Sequence, residues 1–484
     1  MSENFEIDLV DIGENVKQVV TLQDDSQDLE VEDSEIIDLH KQSNYRIWKK
    51  NSKLLYDYIN TNNLKWPSLS VNCLPYHNTL TNDRWYMISS YTSDQLPEDE
   101  KVILTQMPTL NIPRSDLSCF EMENMEFQVL KNLDLNSNSK DKNNKSKNKV
   151  NEATKNNNEL IKEYKAQNLK NNIEIVFPSS EQCNRISINV NNPDLFATAS
   201  TKYGNVYLYD KTKCTTINSS VKNLMPTNYL MHLSGCSEAE SAEVNCLEWN
   251  NMKKAELASG LSNGLLQVWD LHKLYKKGKT TYTEPNAVSI LDEHGINDLS
   301  YMHDHDSLIG LGCESKYLQL FDTRSQNIVM STLNKDDQKN GINSIHFNPH
   351  NSNLLAVGCS DASGQINVHD IRNIHKPILT FNHSDLNVNE HISKDNSVSK
   401  VQWNPFNPNI LMSAGMEDGL VKLWDILGEN DYDPNLLFTH GGHMLGITDC
   451  SWDLFDPWTI ASCSFDNSMH IWKPSKRIIQ EYYK

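Results

Sequence analysis

The stretch from His443 to Trp472 reads HMLGITDCSWDLFDPWTIASCSFDNSMHIW, and its pattern decides the fold. Ile447, Asp449 and Ser451 alternate with Thr448, Cys450 and Trp452, which is the period of a strand with one buried face. Phe455-Asp456-Pro457 turns the chain, and Ile460-Ala461-Ser462 starts a second strand. Asp466-Asn467 makes a tight turn, and Met469-His470-Ile471-Trp472 forms a third strand. Three short strands in about thirty residues form one antiparallel meander, too small to bury its own faces.

The ending of this unit recurs upstream. Apolar runs close on an aromatic residue or His followed by an acid at Tyr209-Asp210, Trp269-Asp270, Phe321-Asp322, His369-Asp370 and Trp424-Asp425; the last unit keeps Trp472 and replaces the acid with Lys473. The gaps between these endings are 60, 52, 48, 55 and 48 residues. A period of that size, with strands ending in Trp-Asp, predicts the blades of a propeller. Six endings give six blades. Strands at 69–74, 85–91 and 102–107, completed by 173–177, supply a seventh, and the N-terminal strand region is expected to join the last blade and close the ring. The predicted fold is all-β, a seven-bladed WD-repeat β-propeller with an N-terminal α-helix packed on its side. In such a blade His443, Ser462, Asp466 and Trp472 form a buried structural network, although His, Ser and Asp also resemble a catalytic set on paper. Trp424 has Asp418 before it but Ala414 where the Ser is expected, and Trp269 has Ser259 but Asn263, so only the last blade is expected to carry the whole network.

Composition bounds the rest. The chain has 484 residues and a net charge of −20. Thirteen acids and one Lys lie in residues 1–40, which read as a disordered acidic tail. An acidic protein is a poor direct ligand for nucleic acid, with no sequence-specific contact expected, and a plausible one for basic proteins. Residues at about 132–172 are rich in Asn and Lys and read as a disordered insertion. Its Lys140, Lys142, Lys145, Lys147 and Lys149 make either a solvated spacer or a nuclear-import patch. None of the ten Cys sits in a C-x-x-C, so they read as buried small hydrophobes in a reducing compartment. Neither a secretory signal nor a membrane span is expected. With no Gly-rich phosphate loop after a strand and no metal-spaced His/Cys set, the expectation is a non-enzyme without metal or cofactor; His303-Asp304-His305 reads as a surface loop.

Two segments stand outside the repeat. Residues 41–63 are expected as the helix before a propeller at 64–484, with its periodic core at 43–62 and two apolar stripes. Tyr45, Trp48, Leu55, Tyr56 and Ile59 share one side; Ile47, Leu54 and Tyr58 share another. One stripe docks on the ring. The other is either more docking face or the wall of a groove for a partner helix. After Trp424-Asp425 comes an acidic loop containing Glu429, Asp431, Asp433 and Pro434, readable as an ordinary solvated loop or as a clamp for Arg and Lys.

Tyr45-Arg46-Ile47-Trp48-Lys49-Lys50-Asn51, Leu55-Tyr56-Asp57 and Lys65-Trp66-Pro67-Ser68-Leu69, followed by the blades and by Thr439-His440-Gly441-Gly442-His443, closely resemble the histone-binding WD-repeat family. That family includes the retinoblastoma-binding proteins and small subunits of histone acetyltransferase and nucleosome-remodelling complexes; the chain is most similar to fungal small subunits of chromatin assembly factor one. The resemblance implies a non-catalytic subunit that binds the first helix of histone four and delivers the histone three–four pair to newly replicated DNA. Its partners are then those histones and the larger subunits of the assembly factor, and its compartment is the nucleus, with the cytoplasm second. The implied groove is Ile47, Leu54, Leu55, Tyr58 and Phe438, faced by Glu429, Asp431 and Asp433. A second site, for the tail of histone three, is implied at Glu181, Asn184 and Glu243. The alternative is a WD-repeat scaffold or substrate adaptor in another nuclear complex: an acetyltransferase, a deacetylase or a ubiquitin ligase.

Overall fold

The computed structural model describes residues 39–77, 83–108, 120–121, 126–127, 173–178, 181–214, 229–235, 242–278, 280–290, 294–333, 341–361, 364–384, 396–430 and 433–482. The acidic tail up to residue 38 and the Asn/Lys-rich insertion expected at about 132–172 lie outside the described residues.

Seven antiparallel sheets follow one another along the chain. Blade one is built from 71–77, 83–89, 101–108 and 173–176; blade two from 183–188, 195–200, 205–210 and 231–234. Blades three to six begin at Val244, Ile296, Ile342 and Val398. Blade seven takes its inner three strands from 447–452, 460–464 and 468–474, and its outer strand, β1 (Tyr56–Asn63), from the other end of the chain. Joining the first strand to the last sheet closes the ring non-covalently, so no blade is left with a free closing edge. Blade two gains a fifth strand: Thr281–Tyr282, between the third and fourth strands of blade three, pairs in parallel with 231–234. The fold is therefore the all-β seven-bladed propeller expected, with few helices. Among the described residues no helix is long and apolar enough to cross a membrane. The eight described cysteines are unpaired, and seven are buried.

Neighbouring blades are stapled by asparagines in register. Asn184, Asn245, Asn297 and Asn343 each donate Nδ2–H to the carbonyl that opens the next blade (Val244, Ile296, Ile342 and Val398) at 3.0–3.1 Å. At the far end of the inner strands Asn189, Asn250, Asn348 and Asn404 do the same to the next blade at 2.7–2.8 Å. Each of this second group also caps its own turn: the Asn404 Oδ1 accepts from the backbone of Phe406 and Asn407. One side chain thus satisfies a turn and ties two sheets.

The helix expected at 41–63 is shorter and starts earlier. Helix α1 spans Leu39–Leu55, so residues 39 and 40 belong to it rather than to the tail, and residues 56–63 are β1. The 3.6-residue pattern does run through 56–62, but the strand 468–474 has a free edge there, and pairing it satisfies a row of backbone groups that a helix would leave open. The register slips at Asp57. The extra residue turns Tyr56 and Ile59 into the core shared with blade six, and Tyr58 into the core shared with blade one.

Candidate functional site

Helix α1 lies over blades six and seven and is held by one side. Trp48 is buried with Tyr56, Leu437, Phe438 and Trp472, while Tyr45 and Leu55 pack at the margin. The contact is very close at Gly442, where a Cβ would meet Trp48 Cζ2 at 2.7 Å and the His440 and His470 rings at 2.9 Å. No side chain larger than hydrogen fits there.

The polar groups under α1 form a chain with a fixed direction. The Trp48 Nε1–H, which can only donate, reaches the Tyr56 hydroxyl at 2.7 Å. That hydroxyl is 2.7 Å from His440 Nδ1, and its one proton must go there. His440 is thereby the Nε2–H tautomer and donates to His470 Nδ1 at 3.1 Å. Burial, and then the neighbouring imidazoles, holds His440 and His470 well below the usual histidine range, so both are neutral. His440, His443 and His470 bring nitrogens within 4.8 Å of one another, close enough to share a metal ion. Both nitrogens of His440 and of His443 are already engaged in hydrogen bonds, so the donor set fits a latch for α1 better than a metal centre.

His443 belongs to the second chain. Trp472 Nε1–H donates to the Ser462 hydroxyl at 3.2 Å, and Ser462 lies 2.8 Å from His443 Nε2. His443 Nδ1 is 2.8 Å from the Ser468 hydroxyl, which donates to Asp466 at 2.5 Å. Burial works to raise the Asp466 carboxyl, but hydrogen bonding and charge from His443, with further bonds from Ser468 and the Met444 N–H, hold it below the usual range. Every group in the set is thus spent on another, with Ser468 as a member that the sequence did not suggest. Blade six carries the same chain, contrary to the sequence expectation. Trp424 Nε1–H donates to Ser413 at 2.8 Å, Ser413 is 2.7 Å from His383 Nδ1, and His383 Nε2 faces Asp418 at 3.3 Å. The turn at Gly419 is one residue longer than that at Asn467: Ser413 pairs with Lys422, whereas Ser462 pairs with His470. The Ser therefore sits one position earlier than counting from the Trp suggests.

The groove residues separate. Ile47 and Leu54 project from the free side of α1, 50% and 52% exposed. Leu55 is half-buried against the ring and belongs to the docking face. Tyr58, on β1, is buried between blades seven and one, and Phe438 is buried against Tyr56 and Trp472, so neither can line an open groove. The docking stripe is thus Tyr45, Trp48 and Leu55, and the free one is Ile47 and Leu54. The acidic segment after Trp424-Asp425 is not a loop throughout but the extension of a hairpin: strands 421–430 and 433–440 pair as far as Asn430 and Asp433. Glu429 and Asp433 lie on those strands, and Asp431 lies outside the described residues. Leu427, 65% exposed on the same hairpin, is an apolar candidate that sequence patterning did not single out.

The implied tail site does not assemble. Glu181 is buried, and its oxygens accept from Ser200 at 2.6 Å and from Asn205 and Tyr207 at 3.0 Å. Asn184 is one of the blade staples. Glu243 alone is exposed. A carboxylate with three donors already in place has no free lone pair aimed at a ligand, which is why Glu181 is set aside.

Comparison with known proteins places this geometry. Residues 43–111, which contain most of the latch helix, β1 and the start of blade one, match the family model described as "Histone-binding protein RBBP4" or its counterpart in the CAF1 complex. Residues 380–425 and 434–473 match the "WD domain, G-beta repeat" model. The chain is 36% identical over 456 residues, 92% of its own length, to "Histone-binding protein MSI1" of Saccharomyces cerevisiae, of which it covers 96%. It is 25% identical to "Histone acetyltransferase type B subunit 2" of Candida glabrata, covering 90% of this chain and 88% of the relative. A chain of the "Crystal Structure of Mitotic Checkpoint Complex" superposes with a TM-score of 0.55 at 12% identity, covering 86% of this chain and 95% of that one, which shows the shared propeller fold alone. With a 36% identical relative matched over nearly all of both chains, this protein belongs to the histone-binding WD-repeat family.

Proposed function

We propose that this protein is a non-catalytic histone-binding subunit of a nuclear chromatin assembly complex. It takes the first helix of histone four between the free side of α1 and the acidic blade-six hairpin, and it hands histones three and four to newly replicated DNA, tethered to larger subunits of chromatin assembly factor one. The observation that carries the reading is the division of α1: Trp48 is locked beneath it, while Ile47 and Leu54 stand exposed one helical repeat apart. Paired apolar side chains on a rigid, docked helix suit the apolar face of another helix. Leu427 on the hairpin extends that surface, and Glu429, Asp431 and Asp433 supply charge for basic flanking residues. A ring with its His, Ser and Asp groups spent on structure supports a scaffold rather than a catalyst.

Leu54→Asp tests the reading. It places a charge on a half-exposed surface without touching the core, so the variant keeps the wild-type melting behaviour while binding of a histone-four helix peptide falls at least tenfold. Wild-type affinity in the folded variant defeats the groove assignment. The 25% identity to an acetyltransferase subunit favours one second reading, in which the same groove serves an acetyltransferase complex. Purifying the native assembly and identifying its largest subunit separates the two.

A further inference from the structure

The histone reading uses Ile47 and Leu54 but leaves the rest of the free side of α1 without a role. From Leu39 to Leu55 the helix carries Lys41, Arg46, Lys49, Lys50 and Lys53 and no acid. Arg46, Lys50 and Lys53 are exposed, and none makes an ion pair among the described residues. At 100° per residue they form one stripe that directly adjoins Ile47 and Leu54, with Lys50 about 40° from Leu54. This is a basic–apolar surface on a protein of net charge −20. It repels a basic histone helix, so the histone is not its natural complement.

The complement lies in the same chain. Residues 1–38 hold thirteen acids and one Lys and run directly into the first residue of α1. They also interleave acids with apolar residues, as in Phe5-Glu6-Ile7-Asp8-Leu9-Val10-Asp11-Ile12 and Leu29-Glu30-Val31-Glu32. In an extended chain that alternation puts acids on one side and apolar groups on the other, matching the two adjoining stripes of α1. α1 is about 25 Å long at 1.5 Å per residue, and 38 residues can double back along it several times over. Attachment at Leu39 also holds the tail at a millimolar effective concentration, where even a weak contact is populated.

We propose that residues 1–38 fold back along the Arg46–Lys50–Lys53 stripe and cover Ile47 and Leu54, so that the acidic tail occupies the wall of the groove until a histone displaces it. The covering of a groove rests on the histone reading above; the docking of the tail on α1 does not. With an effective concentration in the millimolar range and a tail contact of about 0.1 mM, the tail lowers the apparent affinity for a competing helix about tenfold.

The test uses the full-length chain with a photo-activated cross-linking residue in place of Lys50, whose side chain is exposed. The expected products are intramolecular cross-links to residues 1–38, read by mass spectrometry, at low ionic strength. They are lost at about 0.5 M salt, where screening shortens the reach of the charges to a few ångströms. A second chain replaces Asp24, Asp25, Asp28, Glu30, Glu32, Asp33 and Glu35 with the corresponding amides. It should lose the cross-links and bind the histone-four helix peptide about tenfold more tightly. Absence of cross-links to the tail in the wild-type chain overturns the proposal, and so do cross-links that form only between two chains. Cross-links that persist at saturating histone peptide overturn the shared wall. If no form of the protein binds the peptide, the histone reading fails, while the cross-links still decide whether the tail docks.

Discussion

Tyr56→Phe removes one oxygen and isolates the latch under α1. The hydroxyl accepts from Trp48 Nε1 and donates to His440 Nδ1, both at 2.7 Å, in a site where Tyr56 is 1% exposed. Its loss leaves one buried donor and one buried acceptor without partners, each costing about 1–3 kcal/mol, against which the hydroxyl's own desolvation is recovered. The net cost is about 2–3 kcal/mol. The ring packing is unchanged, since Phe fills the same edge-on position against Phe438 and Trp472. The cost therefore falls on the docking of α1, and local opening should become about thirty- to a hundredfold more frequent. Hydrogen exchange read by mass spectrometry measures this directly. Peptides within 39–55 should exchange faster by that factor, while the inner strands of blades two to five keep their wild-type protection. If exchange in 39–55 changes less than about threefold, the directed chain from Trp48 to His470 does not hold the helix. If all blades accelerate together, the latch is part of the global core and not a separable device.

Four further outcomes rest on other contacts. Gly442→Ala places a methyl within 3 Å of the Trp48, His440 and His470 rings and should destabilise α1 docking by about 1–3 kcal/mol; wild-type exchange in 39–55 would contradict that packing. Acid should weaken the fold early. His346, His440 and His470 are held well below 6.5, and His369 is lowered to about 4, all mainly by burial. These folded pKa values lie below the unfolded value, so the stability is complete above about pH 6.5 and is lost as pH falls towards the folded values. Glu248, raised to about 8 chiefly by desolvation, works in the opposite sense over the same range. The four histidines less this one carboxyl give a slope of about 4 kcal/mol per pH unit between pH 6 and 5; a denaturation midpoint that is flat over this range refutes it. Replacing Asp431 and Asp433 with Ala should weaken histone-peptide binding by about 2–5 kcal/mol if the pairs are enclosed and far less if they sit at the rim, and equal binding at physiological salt removes the clamp. Asn404→Ala deletes one staple to Pro457 and two turn bonds at a fully buried position, and should lower stability by about 2–4 kcal/mol in a urea titration.

The ring was legible without coordinates. Aromatic–acid endings at a regular spacing set the blade count, because a meander of short strands has no other way to bury both faces. The two stripes on α1 were legible for the same reason: periodicity reports which side chains share a face. Which stripe docks was not, because both are apolar and only the partner distinguishes them. The packed ring chose Tyr45, Trp48 and Leu55 by placing Gly442 and a histidine pair under Trp48. It also cut the helix at Leu55, since the open edge of the strand 468–474 competes with local helical pattern and wins through backbone hydrogen bonds formed about 410 residues away in sequence. Glu181 and Asn184 were misassigned on the same ground. A buried acceptor with three donors, or a staple to the next blade, is set by neighbours across the ring, and no pattern in the local sequence records them. The latch itself joins residues 48, 56, 440 and 470. Composition and spacing specified the blades, and only ring closure, by bringing the first strand against the last, put those four groups in reach of one another.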